Sequence, residues 1–299
     1  MPVVLDDRCL AGVLLFTFAA CARPAAPATA TVPVRAVPRD TEQEAPHLAV
    51  IAVGERQSVH LTADGTMLES VPETCIAIHR RVLTVKHDVE DGRYTCHLDY
   101  GHGLPPVDQT GAYRGDGLLL VDLASGKSTV VVEKEKRGET ENWMVTQTQL
   151  ASVSGVVGSY LFLREESTVF GCGGAHPFRG VRGLVWDAAA QQPLELVAPA
   201  DVIARARKQL EGRGLPETEP RLAEAIPRFD EEGRLSIAWR FEKPSTHAES
   251  DGEGSSSNLS VVVGSDELPP DLASYREPPP AIRNYLANGG EPIIGYSTL

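Results

Sequence analysis

The sequence has no apolar run long enough to cross a bilayer. The one segment apolar enough to meet a membrane, Leu10 to Ala20, falls short of the ~20 residues a spanning helix needs and matches the h-region of a signal peptide. Positive charge is also in short supply. Lys plus Arg number 28 and Asp plus Glu 41, and the resulting −13 argues against phosphate backbones or anionic headgroups as partners, while a cationic partner is compatible with it. Three catalytic fingerprints are missing. There is no Gly-x-Ser-x-Gly, no Gly-x-x-x-x-Gly-Lys-Ser/Thr and no Gly-x-Gly-x-x-Gly opening a helix, so nucleophile-elbow, phosphate-loop and dinucleotide chemistry have no local support. No nucleic acid and no cofactor is expected.

What is present begins with the leader. Leu10 to Ala20 ends in Phe18-Ala19-Ala20-Cys21, with the small residues that a lipoprotein signal peptidase needs just before the cysteine. It resembles a bacterial lipobox, which implies removal of residues 1–20 and a lipid on Cys21. Ordinary cleavage near Ala28 to Ala30 and an uncleaved anchor are the alternatives. Residues 21–45, rich in Ala, Pro, Thr and Val, cannot bury enough surface to fold and read as a tether whose Pro-rich half is stiff and extended.

Five cysteines occur. With Cys9 in the leader and Cys21 acylated, Cys75, Cys96 and Cys172 remain, which leaves one pair and one spare. Cys75 and Cys96 flank a strand-like stretch, Ile76 to Val89, and an apparent turn at Glu90-Asp91-Gly92, so a Cys75 to Cys96 bridge across neighbouring strands is expected. The loop it would close is worth about 3 kcal/mol by the chain-entropy estimate.

From His47 onward, short β-branched runs separated by Gly and Asp give the pattern of antiparallel strands, at Leu48 to Val53, Ser58 to Thr62, Thr74 to Val85 and Tyr94 to Asp99. Leu118 to Asp122 and Ser128 to Glu133 flank a loop containing Gly126, the clearest hairpin in the chain. Pro199 to Glu211 reads as an amphipathic helix, with Asp201 at its start, apolar Val202, Ile203, Ala206 and Leu210, and Gly212 beyond its end. Arg221 to Ile226 is a candidate second, shorter helix, and Arg234 to Phe241 and Leu259 to Val263 return to strand. The fold class expected is α+β: an antiparallel sheet with one main helix packed on it, preceded by a smaller all-β portion. The boundaries follow as 46–115 for the strand-rich portion, 116–275 for the α+β domain and 276–299 for a tail lying on the body.

Gly171 to Pro177 reads Gly-Cys-Gly-Gly-Ala-His-Pro. It resembles the Gly-Gly-Ala-His-Pro signature of a bacterial envelope domain family found in lysozyme-sensing anti-sigma factors and beside peptidoglycan deacetylase domains. The similarity covers roughly Met144 to Leu272 and implies a domain that binds something at the cell envelope without being the catalytic unit. Gly173, Gly174 and His176 are therefore the ligand-contact candidates; a hydrogen-bonded corner is the other role open to His176.

Two further constellations invite chemistry. Cys172 and His176 stand four apart, the raw material of a cysteine nucleophile. His97, Asp99 and His102, with His79 and His87 nearby, are the densest set of metal-type ligands, in an order that matches no zinc signature. Neither is assigned a role: no catalytic residue and no metal site is expected. The sequence thus predicts a non-catalytic, extracytoplasmic envelope lipoprotein that binds a protein or glycan and touches the membrane only through its N-terminal lipid. An envelope hydrolase with an unrecognised site and a structural or assembly factor are the alternatives.

Overall fold

Strands carry most of the chain in the computed structural model, which describes residues 49–99, 106–135, 144–172, 177–212, 219–243 and 259–298. Cys21, His102, Gly173, Gly174 and His176 lie outside the described residues. The first strands are β1 (Ala49–Gly54), β2 (Gln57–Leu61), β3 (Met67–Val71), β4 (Cys75–Ile78), β5 (Arg81–Leu98), β6 (Val107–Asp122) and β7 (Ser128–Val132). After them come β8 (Met144–Val157), β9 (Tyr160–Gly171), β10 (Phe178–Asp187) and β11 (Gln192–Leu194). Helix α1 (Ala200–Glu211), strands β12 (Arg221–Phe229), β13 (Leu235–Lys243) and β14 (Leu259–Ser265), helix α2 (Pro280–Ala287) and β15 (Gly295–Thr298) complete the order.

The large sheet runs β11-β10-β9-β8-β15-β1-β2-β3, and β4 to β7 branch from it through β6, which pairs with the first half of β8. All pairings are antiparallel except β8 with β15 and β6 with β8. A second sheet, β12-β13-β14, packs over β9 and β10. One core lies between these sheets and under α1, around Phe162, Val202, Leu210, Trp239 and Phe241. Another lies against the branched sheet, around Ile76, Leu118, Val153 and Leu161. A third seats Ile282 and Tyr285 of α2 against Ile51, Leu61 and Tyr296.

Helix α1 forms where the periodicity places it. Val202, Ala206 and Leu210 recur every four residues, so one stripe is buried and the charged face is left outside, with Arg205 bonded to Asp201 one turn back at 2.9 Å. The hairpin of β6 and β7 also forms, closed by Gly126 in the left-handed region and by Asp122, whose Oδ1 accepts from the Ala124 and Ser125 amides.

Several expectations are corrected. Arg221 to Ile226 is not a helix but most of strand β12, because it pairs residue by residue with β13 and because Pro227 is tolerated on an edge strand and not in a helix. Residues 276–299 are not a surface tail, since they hold α2 and the strand β15 that sits between β1 and β8. A second helix is therefore packed on the sheet. The boundary between 115 and 116 falls inside β6, and 43–299 is one compact unit.

The expected bridge is corrected as well. No turn interrupts Glu90-Asp91-Gly92, because β5 runs through it, paired opposite Arg114 and Gly115 of β6. The reversal lies earlier, at His79 and Arg80, both in the left-handed region as a two-residue hairpin of that kind requires. Cys75 therefore faces Thr84, and Cys96 is twelve positions further along the strand, about 40 Å at the usual rise and far beyond disulfide reach. Cys96 is bonded instead to Cys172, with Cα atoms 6.2 Å apart, and Cys75 is a buried free thiol.

Candidate functional site

Strand β12 crosses β10 at Gly183. A methyl group there would lie 2.6 Å from the Glu224 Cα and 3.0 Å from the Ala223 carbonyl oxygen, so only glycine lets the edge strand of the small sheet settle this closely on the large one. The crossing borders a cavity of about 570 Å³ between the last strands of the two sheets. Its walls are apolar, from Leu184, Leu194, Leu196 and Leu222. Among the described residues its charged lining residues are Glu195, which is exposed, and Glu224, which is not.

Glu224 is only 2% exposed, and among the described residues neither of its carboxyl oxygens has a hydrogen-bond partner. Two arginines are placed nearby by register. Arg240 is its partner across β13, and Arg164 is the β9 partner of Gly183. A terminal nitrogen of each pairs with a different carboxylate, Arg164 with Glu166 at 2.7 Å and Arg240 with Glu242 at 3.3 Å, while the Nε of each is buried without a hydrogen-bond partner among the described residues. Burial accordingly pushes the Glu224 carboxyl above its ordinary 4.5, against the opposing pull of Arg164 and Arg240. A buried carboxyl left without partners costs about 1–3 kcal/mol. A carboxyl so raised holds its proton more tightly than an exposed one does.

The other expected residues are scattered. His97 meets Asp108 at 2.6 Å on the exposed end of β5 and β6, and His87 meets the buried Asp116 at 2.9 Å. His79 occupies the turn between β4 and β5. Among the described residues no group of three or more His, Cys, Asp or Glu side chains is arranged to hold a metal ion. Cys172 is bonded to Cys96 and so has no thiol to act as a nucleophile, which removes the Cys172 and His176 dyad.

Glu224 escaped the sequence reading because its segment was read with a helical period, in which Ala-Glu-Ala-Ile places Glu on the wet face. The usable signal was Pro227, which argues against helix and makes Glu224 a charge inside an alternating strand. No protein-family model and no curated protein matches the chain.

Proposed function

We propose that this chain is a non-catalytic, lipid-anchored protein of the cell envelope that takes a protein or glycan partner in the groove between β11 and β12. The observation that carries the reading is the apolar-walled cavity of about 570 Å³ where β12 crosses β10, bordered by Glu195 and by the buried residue Glu224. Carboxyls with a raised pKa that border a cleft cluster at functional sites. The envelope address rests on Leu10 to Ala20 and the acylation of Cys21, and a long-range disulfide is what an oxidising compartment permits. The Gly-Gly-Ala-His-Pro resemblance adds Gly173, Gly174 and His176 as contacts.

A glycan has its own supporting observation. Trp186 lines a second cavity of about 340 Å³ together with Arg81, Asp122, Lys127 and Gln191, an aromatic surface ringed by hydrogen-bonding groups. The test is a titration of the full-length chain with glycan fragments and short peptides, followed by nuclear magnetic resonance. Shifts concentrated at Gly183, Leu194 and Ala225 are expected. No response to any member of either class contradicts the binding reading, and turnover of a glycan ester or peptide contradicts the non-catalytic one. For the anchor, incorporated palmitate lost in Cys21→Ala is the expected result, and labelling that survives the substitution contradicts it.

A further inference from the structure

We propose that the cavity bounded by Trp186 takes an acidic sugar, with the pyranose ring against the indole and its carboxylate at Lys127 and Arg81. This rests on the glycan reading above and names the ligand class of that second site. The cavity, about 340 Å³, lies where the turn between β10 and β11 meets the start of β5, the end of β6 and the start of β7. Leu83, Leu120 and the half-buried Trp186 give it an apolar side. The indole Nε1 is buried, so the ring offers the cavity its carbon surface and not its donor. A pyranose has an apolar face of C–H groups that packs on such a surface and leaves its hydroxyls at the rim.

Charge decides which sugar. Lys127 and Arg81 are the bases lining the cavity and Asp122 is the acid. Asp122 is already satisfied, since its Oδ1 accepts from the Ala124 and Ser125 amides and its Oδ2 from Arg81 at 3.2 Å. Arg81 gives one terminal nitrogen to that pair and its side chain remains 46% exposed, so further guanidinium donors are open to a ligand. Lys127 is exposed, and among the described residues no carboxylate pairs with it. The reachable charge is therefore positive, in contrast to the groove between β11 and β12, whose charged lining residues are both glutamates. Ser128, Thr129 and Gln191 line the same cavity with side chains that the described residues leave unengaged, as partners for hydroxyls. Gln191 stands at φ +55°, a backbone that glycine adopts at lower cost, yet the chain places a hydrogen-bonding amide there. The net −13 does not exclude a single carboxylate, because that field is screened beyond roughly 8 Å at physiological salt while Lys127 acts at contact.

Calorimetry and nuclear magnetic resonance on the full-length chain test this with two matched pairs, methyl β-glucuronide against methyl β-glucoside and N-acetylmuramic acid against N-acetylglucosamine. N-acetylglutamate is the acid without a ring. Within each pair the ring is kept and the carboxylate removed. At least one acid is expected to bind at least about tenfold more tightly than its neutral match, with shifts at the Trp186 indole, Thr129 and Gln191. Which acid does so distinguishes a uronic from a lactyl carboxylate. Lys127→Gln is expected to abolish the preference, and Trp186→Leu to weaken both members of the pair at least about tenfold. Because Lys127 is exposed, its variant is expected to keep the wild-type melting midpoint, which separates lost binding from unfolding whatever Trp186→Leu does to the fold. Equal binding of acid and neutral sugar overturns the inference and leaves the glycan reading standing. N-acetylglutamate binding as tightly as either acidic sugar overturns the assignment to a sugar. An acid preference whose shifts fall at Gly183, Leu194 and Ala225 overturns the site. Silence of all five probes overturns the inference, while binding in the β11 and β12 groove is decided separately by the titration with short peptides.

Discussion

The side chain on which most depends is one that weakens the fold. Glu224 is buried with no hydrogen-bond partner among the described residues, and its carboxyl is pushed above the ordinary 4.5 by burial. A folded-state value above the unfolded one means that the native protein holds the proton more tightly. The stability this provides is complete below about pH 4.5 and is lost as pH rises through the folded-state midpoint. Glu224→Gln keeps the shape and removes the titration. The variant is expected to be more stable than wild type by about 1–2 kcal/mol at pH 7, with the gap closing as pH falls toward 4.5. Denaturant unfolding across that range measures it, and a variant less stable at every pH would show that Glu224 is satisfied in the fold. Cys75 provides the contrast. It too is buried and its thiol is pushed up by that burial, but the Ser58 and Thr84 hydroxyls attend it.

At the scale of elements, legibility followed local periodicity and ended where pairing decided. Helix α1 and the β6 and β7 hairpin each carry their cause within a few residues and could be read. The turn between β4 and β5 could not. Its left-handed residues are His79 and Arg80, where Asn-Gly would have announced it, and the Asp-Gly that did attract the eye, Asp91-Gly92, is held extended by β6. From that one misplaced turn followed the wrong disulfide. β12 and β15 were missed for a related reason, since each is short or ambiguous alone and is fixed by partners far away in sequence. The candidate site inherits this, being built where β12 meets β10. A methyl at Gly183 must push the Glu224 backbone away. Gly183→Ala is expected to cost about 1–3 kcal/mol by overpacking and to weaken any groove ligand. Unfolding and ligand titration of that variant check both, and a neutral effect on both would mean that the crossing is not tight.

For the whole molecule, one sheet runs from the first described strand to the last, so no division at residue 115 survives and the C-terminal residues are structural. The Cys96 to Cys172 bond ties the far end of the β5 and β6 arm to the end of β9 across 76 residues. A loop of that length is worth about 4.5 kcal/mol on the chain-entropy estimate. Replacing both cysteines with serine is expected to lower the unfolding free energy by an amount of that order, as reduction should in the wild type. Equal unfolding curves with and without reductant would show the bond to be absent or without consequence.

The most direct measurement is the titration of the Glu224 carboxyl carbon by nuclear magnetic resonance in the full-length chain. A midpoint above 4.5 is the expected result, because burial outweighs the pull of the neighbouring arginines. A midpoint at or below 4.5 would contradict the buried carboxyl that the fold places at the crossing of β10 and β12.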